Sequence, residues 1–277
     1  MNRDFIKNTT RLVVKIGTNS IMQNGNQIDL RKLDRLAFVL TSLVQDGFEV
    51  ILVTSGAIGV GASLMKLDKY PETIPDQQAL SSIGQTHLMT LYSQFFRNYN
   101  QAVGQILFTK DIIDFPISRK NMITALDTLL SKKVIPIINE NDAVSVEELD
   151  HITRFGDNDT LSAIVAQIID AELLVILSDI DGLYDKNPRA HVDANLLSYV
   201  PSITDEVKEM AQGKGYEFSK GGMGTKLKAA EIVLDYGASM IIASAADPSI
   251  LFSILEGQTV GTLFATELEG VDENDKD

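Results

Sequence analysis

Short apolar runs that end in glycine or in clustered polar residues recur along this chain. They alternate with stretches whose apolar positions fall three and four residues apart. Residues 12–16, Leu-Val-Val-Lys-Ile, form the first run and Gly17 closes it, which predicts a short buried strand opening into a tight turn. Over residues 29–45 the positions Leu33, Leu36, Ala37, Leu40, Leu43 and Val44 make a helical stripe that Asp46-Gly47 stops. Residues 49–54 are a second strand, running into Ser55-Gly56-Ala57-Ile58-Gly59-Val60-Gly61 and an apolar helix that ends near Lys66. Strand, helix, strand in this order predicts a right-handed crossover between parallel strands, with the two glycine-rich turns as neighbours.

Residues 67–75, with two prolines and mixed charge, read as a loop. Residues 77–99 predict a long helix with an apolar face of Leu80, Ile83, Leu88, Leu91, Phe95 and Phe96; Gly84 and Ser81-Ser82 permit close packing against another helix or a second subunit. Strands over 102–108 and 133–138 flank a helix over 121–131, and Pro136 implies an irregular or exposed position. Further on, the pattern predicts helices over 161–169, 204–212, 225–236 and 248–255 and strands over 172–177, 240–243 and 260–264. No linker rich in proline, glycine or serine divides the chain. The expectation is one α/β domain over residues 1–264, a three-layer α/β/α sandwich around a mainly parallel sheet.

Charge narrows the partners. The chain carries a formal charge of −14, which argues against a nucleic-acid surface. Residues 265–277 hold six acids and one lysine, a net of −5 that leaves −9 for the body, and read as a disordered acidic tail. The absence of cysteine rules out disulfides and thiolate metal sites. The charged N-terminus is unlike a signal peptide, and the long uncharged stretch over 77–96 is too polar to span a membrane, so a cytoplasmic protein is expected. His87, His151 and His191 lie far apart in unrelated contexts and read as structural or surface residues.

The chemistry gathers at the ends of the predicted strands, where ligands sit in open α/β sheets. Lys15 stands two residues before Gly17, where its ammonium can emerge beside a turn that lets backbone N–H groups approach a phosphate; a snorkelling lysine beside an ordinary turn is the bland alternative. The strand over 133–138 delivers Asn139-Glu140-Asn141-Asp142, and Gly156-Asp157-Asn158-Asp159 precedes a helix. Helix capping accounts for one or two of these last three polar residues, not for all of them. Asp179-Ile180-Asp181-Gly182 lacks the third acid and closing glutamate of a calcium loop. Residues 213–224 are the most glycine-dense stretch and empty into a helix with Lys226 in its first turn, as a phosphate cradle would, though a flexible hinge has the same composition. There is no G-x-x-x-x-G-K-[ST], G-x-G-x-x-G, H-R-D or D-F-G motif, which excludes P-loop and protein-kinase folds. Phosphoryl transfer still needs only positioning and cations. Lys15 and Lys226 can supply the cations and Asp159 can hold both, while Mg²⁺ is carried mainly on substrate phosphates.

Seven motifs in this order, Val-Val-Lys-Ile-Gly-Thr, Val-Thr-Ser-Gly-Ala-Ile, Ile-Asn-Glu-Asn-Asp-Ala-Val, Gly-Asp-Asn-Asp-Thr-Leu-Ser-Ala, Asp-Gly-Leu-Tyr, Gly-Gly-Met-Gly-Thr-Lys-Leu-Lys-Ala-Ala and Val-Gly-Thr-Leu-Phe, resemble the glutamate 5-kinase family of the amino-acid-kinase fold. The match runs from about residue 11 to 264, and is to the form without the RNA-binding-like C-terminal domain that many members carry. The resemblance implies MgATP-dependent phosphorylation of the glutamate γ-carboxylate, the first step of proline synthesis. It implies Lys15, Lys226 and Asp159 as catalytic residues and Ser55, Asp142 and Asn158 as glutamate contacts. Lys15, Ser178, Asp179, Lys220, Gly221, Gly222, Met223, Gly224, Thr225 and Lys226 are the implied ATP contacts. It brings with it proline as a candidate feedback inhibitor and a homo-oligomer, for which the helix over 77–99 is a candidate interface. Lys220 and Ser178 stand where many members have threonine, and the connector between Asp142 and Gly156 is longer than in some. The alternatives are another small-carboxylate or carbamate kinase of the same fold and a non-catalytic amino-acid or nucleotide sensor.

Overall fold

The structure is a computed structural model that describes residues 2–23, 27–67, 69, 71–109, 111–144, 157–212 and 222–266. A 3₁₀ turn, Asp4–Asn8, leads into β1 (Arg11–Ile16), α1 (Thr18–Ile21), a small β2–β3 pair (Met22–Gln23 and Gln27–Ile28), α2 (Leu30–Gln45) and β4 (Glu49–Val53). Then come α3 (Ala57–Leu64), α4 (Ile74–Asn98), β5 (Val103–Phe108), α5 (Asp111–Asp114), α6 (Pro116–Ser131) and β6 (Ile135–Glu140). The last part holds α7 (Asn158–Ile168), β7 (Leu173–Ser178), β8 (Tyr199–Val200), α8 (Asp205–Gln212), α9 (Met223–Asp235), β9 (Ser239–Ser244), α10 (Ile250–Leu255) and β10 (Thr262–Phe264).

Among the described residues eight strands form one sheet in the order β5-β6-β4-β1-β7-β9-β10-β8, parallel throughout except for the β9–β10 pair. The chain builds outward from β1 through β4 to β5 and β6, then returns to lay β7 against the other side of β1. That reversal makes a crevice at the carboxyl end of β1, the place where such sheets bind ligands.

Alternation along the strands divides the core in two. Leu12, Val14 and Ile16 of β1 pack with Leu36 and Leu40 of α2, Tyr92 and Phe96 of α4, and Leu251 of α10. Val13 points to the other face, packed with Leu126 of α6, Leu161 and Val165 of α7 and Ala230 and Val233 of α9. Because side chains alternate with period two, Lys15 must follow Val13 toward α7 and α9. The register of one strand thus decides which helices the lysine can meet.

Two helices touch backbone to backbone. A Cβ on Gly84 of α4 would lie 1.8 Å from the Ala57 carbonyl oxygen, and one on Gly61 of α3 would lie 2.0 Å from that of Leu80. The close packing expected at Gly84 is therefore made within this chain, against α3. Gly84→Ala is expected to destabilise the fold by about 1–3 kcal/mol or more, since the obstacle is backbone rather than a side chain that can swing away. A denaturant melt with an unchanged midpoint would contradict this.

Several predicted details differ. The long helix starts at Ile74, because Thr73 caps it and Pro75 sits in its first turn, where a missing N–H costs nothing. Ile83 is exposed, and Tyr92 takes the place on the buried face. Pro136 is buried in an interior strand. The Ile135 N–H bonds to Ala102 on the β5 side, so the Pro136 nitrogen turns to the β4 side, where the ladder begins only at Ile137. The body also extends past 264. Ala265 is buried and its carbonyl accepts from the Tyr199 hydroxyl, while residues 267–277 of the predicted tail lie outside the described residues. The N-terminal segment has a structural role that the charged sequence did not suggest: Arg3 is fully buried and donates to the carbonyls of Val260, Ser198 and Gly261.

Candidate active site

Four segments from distant parts of the chain meet at the carboxyl end of β1. Lys15 arrives on the strand itself, and Gly17 follows with no side chain, where a Cβ would lie only 3.2 Å from the lysine Nζ. Gly56 holds a left-handed conformation (φ +99°) that turns β4 into α3 and leaves Ser55 beside Thr18, their hydroxyl oxygens 3.1 Å apart. The predicted neighbouring of the two glycine turns is made through this contact. α7 and α9 also begin here, so the N-termini of three helices, whose first-turn N–H groups have no partner within their own helix, lie around one opening.

The residues 157–159 divide their work. Asp157 caps α7, accepting from the Thr160 N–H at 2.8 Å and its hydroxyl at 3.0 Å. Asn158 donates to the Thr54 carbonyl at 2.7 Å and to Asn139 Oδ1 at 3.1 Å. Asp159 is wholly buried, with Lys15 Nζ 2.5 Å from Oδ1 and Lys226 Nζ 3.3 Å from Oδ2. Thr225 adds a hydroxyl 2.7 Å from the same Oδ2. Two lysines 211 positions apart in the sequence therefore share one carboxylate. Capping explains Asp157 alone.

Burial by itself pushes the Asp159 carboxyl up. The ammoniums of Lys15 and Lys226, with hydrogen bonds from Lys15 and Thr225, outweigh it and hold the group below the ordinary carboxylate value. Asp157 goes the other way: burial and the nearby Asp159 charge raise it against the bonds from Thr160 and the pull of Lys15.

Around this centre opens a cleft lined by Lys15, Ser55, Asp142, Asn158, Asp159, Ser178, Asp179 and Lys226 among others. Ser178 donates to Asp179 Oδ1 at 3.1 Å, and Asp179 is exposed at the rim with Arg189 3.7 Å away. Asp142 accepts from Ser81 of α4. At the start of α9, Gly222 is the cap residue and accepts from Thr225, and Gly224 is exposed. Met223 turns its side chain into the core, which leaves its backbone N–H as the group it can offer. Lys220 and Gly221 lie outside the described residues. Glu140, buried at the end of β6 and lining the cleft, was not singled out among the predicted contacts, although it stands in the Asn139–Asp142 run. Nor were Thr18 and the short α1 that follows Gly17.

Residues 10–244 match the model of the amino acid kinase family. The chain is 50% identical over 267 residues to the glutamate 5-kinase of Listeria monocytogenes serotype 4a (strain HCC23), covering 96% of this chain and 97% of that one. It is 50% identical over 265 residues to the glutamate 5-kinase of Streptococcus agalactiae serotype III (strain NEM316), covering 96% and 99%. Among solved structures, carbamate kinase from Giardia lamblia bound to AMP-PNP superposes with a TM-score of 0.64 at 16% identity, covering 94% of this chain and 99% of that one. UMP kinase from Bacillus anthracis does so with a TM-score of 0.62 at 17% identity, covering 94% and 97%. At such identities these two speak for the fold. Among the described residues no helix is long and apolar enough to cross a membrane.

Proposed function

The chain belongs to the amino acid kinase family, in its glutamate 5-kinase group, and from that premise we propose that the cleft moves the γ-phosphoryl group of ATP to the γ-carboxylate of L-glutamate. The products are γ-glutamyl phosphate and ADP, and the reaction is the first step of proline synthesis. The observation that carries the residue assignment is the convergence of Lys15 and Lys226 on Asp159 at the mouth of three helix N-termini.

The nucleophile is a carboxylate with an ordinary pKa near 4, so no base is required. An oxygen of the γ-carboxylate attacks Pγ in line, the bond from Pγ to the bridging oxygen of the β-phosphate breaks, and ADP leaves with the electron pair. Charge on the equatorial phosphoryl oxygens is the quantity to stabilise, and two ammoniums in a largely desolvated site do so without reorganising. Asp159 keeps them from repelling each other before nucleotide arrives. Ser178, Asp179 and the start of α9 form the nucleotide side. Asp142, Asn158 and Ser55 form the acceptor side. Asp142 brings a carboxylate that suits the α-ammonium of an amino acid.

The donors that face the cleft fit Mg²⁺ carried on phosphates: the exposed carboxylate of Asp179 is a hard oxygen ligand, and phosphate and water would complete the shell. When bound, the ion neutralises charge on the β- and γ-phosphates. Incubating the protein with ATP, Mg²⁺, glutamate and hydroxylamine is expected to yield the γ-hydroxamate only when ATP and glutamate are both present. Formation with another carboxylate and not with glutamate would reassign the acceptor.

A further inference from the structure

Helix α4 is long, and its core-facing stripe carries polar groups among the apolar ones. Ser81, Gln85 and Tyr92 fall within about 40° of one another around the helix at 3.6 residues per turn. All three are buried, and each bonds to a residue next to the acceptor side of the cleft. Ser81 donates to Asp142 Oδ2 at 3.3 Å. Gln85 Oε1 accepts from Asn139 Nδ2 at 2.7 Å. The Tyr92 and Thr54 hydroxyl oxygens are 2.8 Å apart.

These contacts form a chain with a fixed sense. The Thr54 carbonyl can only accept, so Asn158 must turn its NH₂ toward it. The Glu140 backbone N–H can only donate, so Asn139 must turn Oδ1 toward it, and that same oxygen takes the second hydrogen of Asn158. Asn139 then has only its NH₂ to offer Gln85, which answers with Oε1. The cost is visible: Gln85 Nε2 is buried with no partner among the described residues. Both amide hydrogens of Asn158 are spent inside the protein, so its carbonyl oxygen is the group left for a ligand in the cleft. The Asp142 carboxylate, which accepts from Ser81, lines the same cleft and is the second oxygen group suited to a cationic donor.

We propose that Ser81, Gln85 and Tyr92 of α4 are positioning residues for the acceptor amino acid, with Gln85, through Asn139, setting the Asn158 amide so that it reads an ammonium rather than a carboxylate. This rests on the acceptor assignment of Asn158 and Asp142 above. The geometry explains why α4 is pinned to α3 by two glycines: a shift of the helix would move the supports of Thr54, Asn139 and Asp142 together.

The test compares Gln85→Leu, Gln85→Glu, Ser81→Ala and Asn158→Ala in steady-state kinetics and thermal melts. Gln85→Leu removes the acceptor for Asn139 and is expected to raise KM for glutamate about tenfold, with KM for ATP within about twofold of the parent. Gln85→Glu restores an acceptor oxygen at the same place and is expected to return KM for glutamate to within about threefold of the parent. Ser81→Ala, a loss of one hydroxyl, should raise KM for glutamate about threefold with the melting temperature unmoved. Parallel rises in both KM values together with a lower melting temperature would reduce the stripe to a packing feature and overturn the proposal. So would an unchanged KM for glutamate in Gln85→Leu and Ser81→Ala while Asn158→Ala raises it. If Asn158→Ala itself leaves KM for glutamate unchanged, the acceptor assignment fails and the relay with it.

Discussion

Replacing Lys226 with alanine is expected to lower kcat by about 10² or more, roughly 2.7 kcal/mol of transition-state stabilisation, with a much smaller change in KM for either substrate. Lys226 is 4% exposed and its ammonium is held at Asp159, so little reorganisation precedes catalysis. Its contribution therefore falls on the step in which charge develops rather than on binding. The variant should fold, because Asp159 retains Lys15 at 2.5 Å and loses only the longer of its two ion pairs. Single-turnover phosphoryl transfer measured with saturating ATP and glutamate separates the chemical step from product release. A variant that transfers at the parental rate would remove Lys226 from the reaction.

How far such a site can be read in advance depends on which forces place each residue. Lys15 was legible as far as one local rule goes, since a strand's end delivers it beside a turn; which helices it meets follows from alternation with Val13, whose face the structure shows. Asp159 was legible as more than a cap because three polar residues precede one helix and a helix start needs only one or two. That Asp157 is the cap and Asp159 the partner of the lysines is a matter of a 100° turn per residue, which the structure displays and composition does not. Pro136 misled for a physical reason. Proline is unwelcome where a ladder bond is needed, and only the pairing register reveals that the β4–β6 ladder has not begun at that residue. The α4 stripe was the hardest part. Ser81 and Gln85 lie 61 and 54 positions from the residues they support, and in sequence they look like ordinary polar positions in a helix start. Nothing local distinguishes a glutamine that meets solvent from one that meets Asn139.

Asp159→Asn should produce the other large effect, and it should appear in stability as well as in rate. The substitution leaves the shape and removes the charge that two nearly buried ammoniums share. Breaking a buried pair costs about 3–5 kcal/mol when the survivor stays dry. The open cleft above Lys15 and Lys226 lets water and anions reach them, so the loss should lie below that range. Activity should fall by about 10² or more, because nothing then holds the two lysines at one point. The pH dependence has a definite sign. The folded Asp159 carboxyl lies below its unfolded value of about 3.9, so the unfolded chain binds more protons in the window between the two. Its stabilisation is complete above that unfolded value and is lost as pH falls through the folded one. The parent should thus converge on the variant in acid, and the gap between them should be full near neutrality. Asp157, raised by burial, has the opposite slope just above 3.9, and the variant lacks the Asp159 charge that adds to that rise, so this opposing slope should be smaller in the variant than in the parent. MgATP should restore more stability to the variant than to the parent, since phosphate oxygens then supply the missing anion. Equal melting curves for the two proteins at neutral pH, with equal turnover, would show that the lysines do not need Asp159 to stand together.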